Sequence, residues 1–136
     1  MATQPDFAKL EEMITCRATA NGERVTGISG NIGYNLSLLS NWAKGNLHGH
    51  PQVSSRDARQ FLGAVRYAHD EAEFTGRRNA FHCAEVNAVV KLLDRGAGLR
   101  DIRLYRAKGD QKQWVGYCRA CTQWIYDLNI ETIDSI

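Results

Sequence analysis

Apolar and polar positions change rhythm several times along the chain, and each rhythm predicts an element. Phe7, Leu10, Met13 and Ile14 recur at helical intervals behind Pro5. They predict a first helix reaching about residue 18, with Cys16 packed on its buried face. Asn21-Gly22 breaks it. Glu23 to Ile28 alternates as a short strand, and Ser29-Gly30-Asn31-Ile32-Gly33 reads as a flexible loop. Tyr34 to Trp42 suits a strand or a short helix equally. Lys44 to Pro51 is a loop, and its His48-Gly49-His50 lacks a third ligand-type neighbour.

Ser54 or Ser55 then caps a helix with Asp57 in its first turn and Ala58, Phe61, Leu62, Val65 and Ala68 on one face. Gly76-Arg77-Arg78-Asn79 ends that unit. From about Cys83 to Asp94 the chain is apolar nearly all round, the mark of a helix buried on most sides, with Gly96 as its stop. Leu99 to Ala107 reads as a strand, Lys108-Gly109-Asp110 as a turn and Gln113 to Tyr117 as a shorter extended piece. A helix from Cys118 to about Leu128 and a strand from Ile130 to Ile133 complete the chain. Helices alternating with strands in the second half predict a layered α/β domain.

Composition narrows this further. With 136 residues, 43% apolar and 24% charged, the chain is one domain, residues 1–136, able to bury a core. No apolar run approaches the roughly 20 residues of a membrane span. Met1 to Leu10 has Pro5, Asp6 and Lys9 and no apolar centre, so it does not read as a cleavable signal peptide. The net charge of +2 does not by itself announce a nucleic-acid binder. Twelve of the seventeen basic residues are arginine, however, which suits bidentate phosphate contacts.

The candidate chemistry lies in the cysteines. Four of them without a signal peptide do not read as a disulfide framework. Cys83-Ala84-Glu85 opens the most apolar helix, and Cys118-Arg119-Ala120-Cys121 opens the next. A Cys-x-x-Cys pair alone is a weak signal, equally a redox couple; a Cys-x-Glu at another helix start strengthens the case for a metal. Three thiolates, Cys83, Cys118 and Cys121, leave the fourth zinc position open, as in a catalytic site. The metal must sit just beyond the helix ends, because residues two apart on a helix do not face the same way. Exposed amides there favour thiolates. Zinc lowers the pKa of bound water, and Glu85 would carry the proton. Arg119 is expected to offset a thiolate charge.

These residues resemble the zinc-deaminase signature, His-x-Glu followed by Pro-Cys-x-x-Cys with the Glu as general acid and base. The chain is similar to the cytidine deaminase superfamily. More narrowly, His82-Cys83-Ala84-Glu85-Val86-Asn87-Ala88 resembles the zinc helix of YwqJ-like deaminases of bacterial polymorphic toxins, with weaker echoes in Thr26-Gly27-Ile28-Ser29-Gly30 and His50-Pro51. Two departures stand out. Tyr117 occupies the place of the usual proline, and both His82 and Cys83 can claim the first ligand position. Spacing to Glu85 favours Cys83, leaving His82 to the substrate.

The resemblance implies a three-layer α/β/α fold with a mixed central sheet and Zn2+ as cofactor. It implies deamination of cytosine to uracil in single-stranded nucleic acid, DNA ahead of RNA. It further implies a C-terminal toxin domain of a larger secreted effector, acting in the target-cell cytoplasm and restrained by an immunity protein. Free-nucleoside deaminases hold ribose through the stretch corresponding to Tyr67 to Phe81, which here is acidic and then Arg77-Arg78-Asn79. Two arginines suit a phosphate backbone better than a neutral ribose. Trp114 and Tyr117 are placed to stack a base, and Asn31 and Asn79 to contact base or sugar by analogy. The competing expectations are a free-nucleoside or nucleoside-antibiotic deaminase and a non-catalytic, zinc-stabilised binding module.

Overall fold

The computed structural model describes residues 13–71, 79, 81–109, 114–115, 117 and 119–133. Its first element corrects the sequence expectation. Thr15–Ala20 is a strand, β1, which buries Cys16, Ala18 and Ala20 and leaves Arg17 exposed between them. The period is two, not 3.6, and the threonines at 15 and 19 suit a pleated strand. Cys16 therefore packs on a strand and not on a helix; residues 1–12, which carry Phe7 and Leu10, lie outside the described residues. β1 pairs antiparallel with β2 (Glu23–Ile28) from Thr15↔Ile28 to Ala20↔Glu23. Between them stand Asn21 and Gly22, at φ 50° and 88°. Asn-Gly with both φ positive is the tight turn that matches strand twist, so the dipeptide closes a hairpin instead of ending a helix.

On its other side β1 pairs antiparallel with β3 (Arg103–Tyr105) and, at Thr15↔Lys108, with β4 (Ala107–Lys108). β5 (Trp114–Val115) is antiparallel to β4, and β6 (Glu131–Ile133) is parallel to β3. The result is a six-stranded mixed sheet. The single strand expected from Leu99 to Ala107 is three pieces. Leu99–Asp101 forms a 3-10 turn, and strand pairing is interrupted at Arg106 between β3 and β4.

The ambiguous apolar piece before residue 43 is helical: α1 (Ile32–Ala43) buries Asn35, Leu39 and Trp42 at helical spacing. α2 (Ser55–Glu71) is capped by Ser54, whose Oγ accepts the Asp57 N–H at 3.1 Å. α3 (Ala84–Asp94) buries nine of its eleven residues, which identifies it as the central helix. It lies across β1 and β2. α4 (Arg119–Asp127) packs on α2, with Phe61 and Trp124 edge to face at 5.0 Å. Cys16, Ala18 and Ala20 belong to the same core as these helices. Arg17, Arg24 and Thr26, elsewhere on the β1–β2 hairpin, are exposed. The chain is thus mixed α/β, and no described helix is long and apolar enough to cross a membrane.

Candidate metal centre

The loop before α3 brings the first ligand candidate to its place. Cys83 is the N-cap of α3, with φ −69° and ψ 146°, and Ala84 begins the helical turn. An extended N-cap turns its side chain across the helix mouth, where the first amides have no partner within the helix. Glu85 lies in the first turn, and Cys121 in the first turn of α4. The two helix starts therefore face one another, as the sequence requires if Cys83 and Glu85 are to address one point.

They converge. Ligand atoms of Cys83, Glu85 and Cys121 all lie within 4.8 Å of one another, and all three residues are buried. The Cys121 thiol stands 3.9 Å from Glu85 Oε1. Cys83 and Cys121 are thiols and not half-cystines. A carboxylate among sulfurs in a buried pocket is costly unless hydrogen-bonded or neutralised by a cation. Two soft donors beside one hard one, at helix N-termini that favour anions, suit a zinc-like cation and exclude a hard oxygen-only site. Bound there, such a metal would be held by Cys83 and Cys121, with Glu85 beside it.

Cys16 of β1 is buried in the same core. Its thiol donates to the Tyr105 carbonyl at 3.3 Å. Burial, and then the charge of Glu85, push its pKa well above the ordinary thiol value. It remains a protonated packing residue, as expected.

The other expected site residues are distributed unevenly. His82 is half-buried; its carbonyl accepts the Gly30 N–H at 2.8 Å, so the loop bearing Asn31 lies against the residue preceding Cys83. Asn31 is exposed and is the N-cap of α1, with no side-chain cap bond. Asn79 is exposed, and its Oδ1 accepts the Phe81 N–H at 2.8 Å, a local turn that uses part of its side chain. Tyr117 is half-buried and its hydroxyl donates to the Tyr105 carbonyl at 3.1 Å. That bond ties the chain entering α4 to β3 at the position where the signature has proline. Trp114 in β5 and Arg119 at the start of α4 are described in their backbone only. Cys118, Arg77 and Arg78 lie outside the described residues. His50, in the loop read as no metal site, pairs through Nδ1 with Asp94 Oδ1 at 2.5 Å.

The sequence motifs give no role to Asn35 or Asn87. Both are fully buried, and with Asp57 and Glu85 they make up the buried polar or charged residues among those described. The available signal was an amide in the middle of an apolar helix face, a placement that demands a partner. No family model, curated protein or solved structure matches the chain.

Proposed function

We propose that this chain is a zinc-dependent hydrolytic deaminase that converts cytosine to uracil in single-stranded nucleic acid, DNA ahead of RNA. The observation that supports the reading most directly is the convergence of Cys83, Glu85 and Cys121 across two helix N-termini. Cys83, Cys118 and Cys121 are the proposed zinc ligands. Bound zinc supplies a Lewis acid that makes water a nucleophile at neutral pH. Glu85 would take a proton from the water that adds to C4 and deliver it to the ring nitrogen, then take the second proton from the new C4 hydroxyl and pass it to the departing amine. Water and cytosine give uracil and ammonia. Burial of Glu85 among sulfurs keeps bulk water away from that transfer. A base within a duplex must first be extruded, which makes a single strand the easier substrate. A three-layer α/β/α architecture, and the role of a toxin domain of a secreted effector held in check by an immunity protein, belong to the same reading.

One distance favours a second reading. At 3.9 Å from the Cys121 sulfur, the Glu85 carboxylate is near enough to take a ligand place itself. With three cysteines it would close the coordination, as in a structural zinc site. Glu85→Gln separates the two. In a deaminase the variant keeps zinc and loses roughly 10²- to 10⁴-fold in turnover; in a closed structural site it loses zinc. Zinc-loaded chain and variant should be incubated with single-stranded DNA, duplex DNA, RNA and free cytidine, scoring uracil or uridine. Uracil in single strands from the parent chain alone supports the proposal. Conversion of free cytidine alone moves the chain to the nucleoside enzymes, and no conversion with zinc bound leaves the binding module.

A further inference from the structure

We propose that Asn87 and Asn35 are positioning residues for the metal centre, forming a buried amide relay that fixes the loop carrying Cys83; this rests on the metal-site reading above. Asn87 Oδ1 accepts the Ile28 N–H at 2.9 Å, and Asn87 Nδ2 donates to Asn35 Oδ1 at 2.8 Å. Asn35 Nδ2 in turn donates to the Phe81 carbonyl at 2.9 Å. Both amides are 0% exposed.

The ends of the relay fix its direction. A backbone N–H only donates, so Asn87 must turn its oxygen to Ile28; a carbonyl only accepts, so Asn35 must turn its nitrogen to Phe81. The middle bond then has one arrangement, oxygen of Asn35 facing nitrogen of Asn87. Neither amide can flip without setting like groups against each other at both of its contacts.

The endpoints show what the relay controls. Phe81 is two residues before Cys83, and Ile28 closes β2 beneath the start of α3. The same loop is held again by Gly30 N–H to the His82 carbonyl and by His82 N–H to the Asn79 carbonyl at 3.1 Å. Cys83 is thus delivered by a loop clamped to the β2–α1 turn, while Cys121 is delivered by a different helix. Ligand distances at a metal tolerate about ±0.2 Å. A loop released from the relay would keep its sequence and lose that register.

The test compares Asn87→Asp, which sets an acceptor against Asn35 Oδ1, with Asn35→Ser, which removes the amide that bonds both Phe81 and Asn87. Ile102→Val, a buried change outside the relay, is the control for lost stability. Zinc affinity is measured by chelator competition, the Co(II)-loaded absorption spectrum is recorded, and the metal-free chain is unfolded in urea. The relay variants are expected to bind zinc about 10-fold or more weakly, the range typical of groups that orient ligands, with an altered Co(II) spectrum. Ile102→Val should lower the urea midpoint alone. Asn35→Ser carries the decision if Asn87→Asp does not fold. Relay variants that lose stability but keep the parent's affinity and spectrum overturn the inference and leave the metal centre standing. A parent chain that binds neither ion overturns both.

Discussion

Gly27 of β2 lies so close to Ala84 of α3 that a Cβ at position 27 would stand 2.1 Å from the Ala84 carbonyl oxygen. It would also meet the Ala88 nitrogen at 2.5 Å and the Ala88 Cβ at 2.8 Å. The first two are backbone atoms of the helix whose first turn carries Glu85 and the third is a Cβ fixed to that backbone, so no side-chain rotation relieves the contact. Gly27→Ala must push the start of α3 off the sheet. Overpacking of this kind costs ~1–3 kcal/mol, and a urea titration should show it. If the Cys83, Glu85 and Cys121 group holds a metal, its affinity should fall with it, because Cys83 moves with the helix while Cys121 does not. Unchanged stability would mean that α3 does not sit on β2 as described.

Gly63 gives the opposite expectation. It lies within α2, exposed, and an added Cβ would meet nothing within 4 Å. Glycine in a helix interior is less stable than alanine by roughly 0.5–1 kcal/mol. Gly63→Ala should raise the thermal midpoint without altering metal binding. A fall would place residue 63 against a surface absent from the described contacts.

Asp57 ties a helix start to a distant turn. Its backbone N–H is received by the Ser54 cap, and its nearly buried carboxylate accepts the Leu99 N–H at 3.0 Å. Asp57→Ala leaves a buried N–H without its partner and removes a favourable charge from the first turn of α2. The expected loss is about 1–3 kcal/mol, read from chemical denaturation. Asp57→Asn should recover most of it, since an amide oxygen also accepts. Equal losses from both variants would mean that charge at the helix N-terminus, and not the bond to Leu99, carries the effect.

What the sequence made legible follows from how local each signal is. The apolar wrapping of α3, the cap of α2 and the positions of Cys83 and Cys121 at helix starts are each written within a dozen residues, and each stands where it was expected; Cys118 lies outside the described residues. β1 departs from the local pattern because Met13 and Ile14 extend a helical rhythm into a segment whose structure is set by pairing with β2 and β3. Tertiary pairing overrode local spacing there. Asn21-Gly22 carried the correction, being a stronger hairpin signal than a helix stop. The weak echo at Thr26-Gly27-Ile28-Ser29-Gly30 turns out to be mechanical. Gly27 admits α3, Ile28 donates to Asn87, Ser29 Oγ receives the Ile14 N–H at 2.9 Å, and Gly30 holds His82. None of those contacts can be seen without the fold, because each joins residues at least fifteen apart in sequence.

Cys16 should be chemically silent in the folded chain. Its thiol is 1% exposed and donates to the Tyr105 carbonyl, and burial together with Glu85 holds its pKa well above the ordinary thiol value. Thiolate, not thiol, reacts with iodoacetamide. At mildly alkaline pH the native chain should therefore leave Cys16 unmodified, and the same reagent in denaturant should label it fully, as peptide mass spectrometry would show. The linkage has a definite sign. A thiol whose pKa is raised by folding contributes stability that is present below the unfolded value and lost as pH rises through the folded one. The urea midpoint should thus decline on the alkaline side of the ordinary thiol pKa, and Cys16→Ala should flatten that part of the decline. Labelling of Cys16 in the native chain at the rate of an exposed thiol would show that α3 does not cover β1 as described.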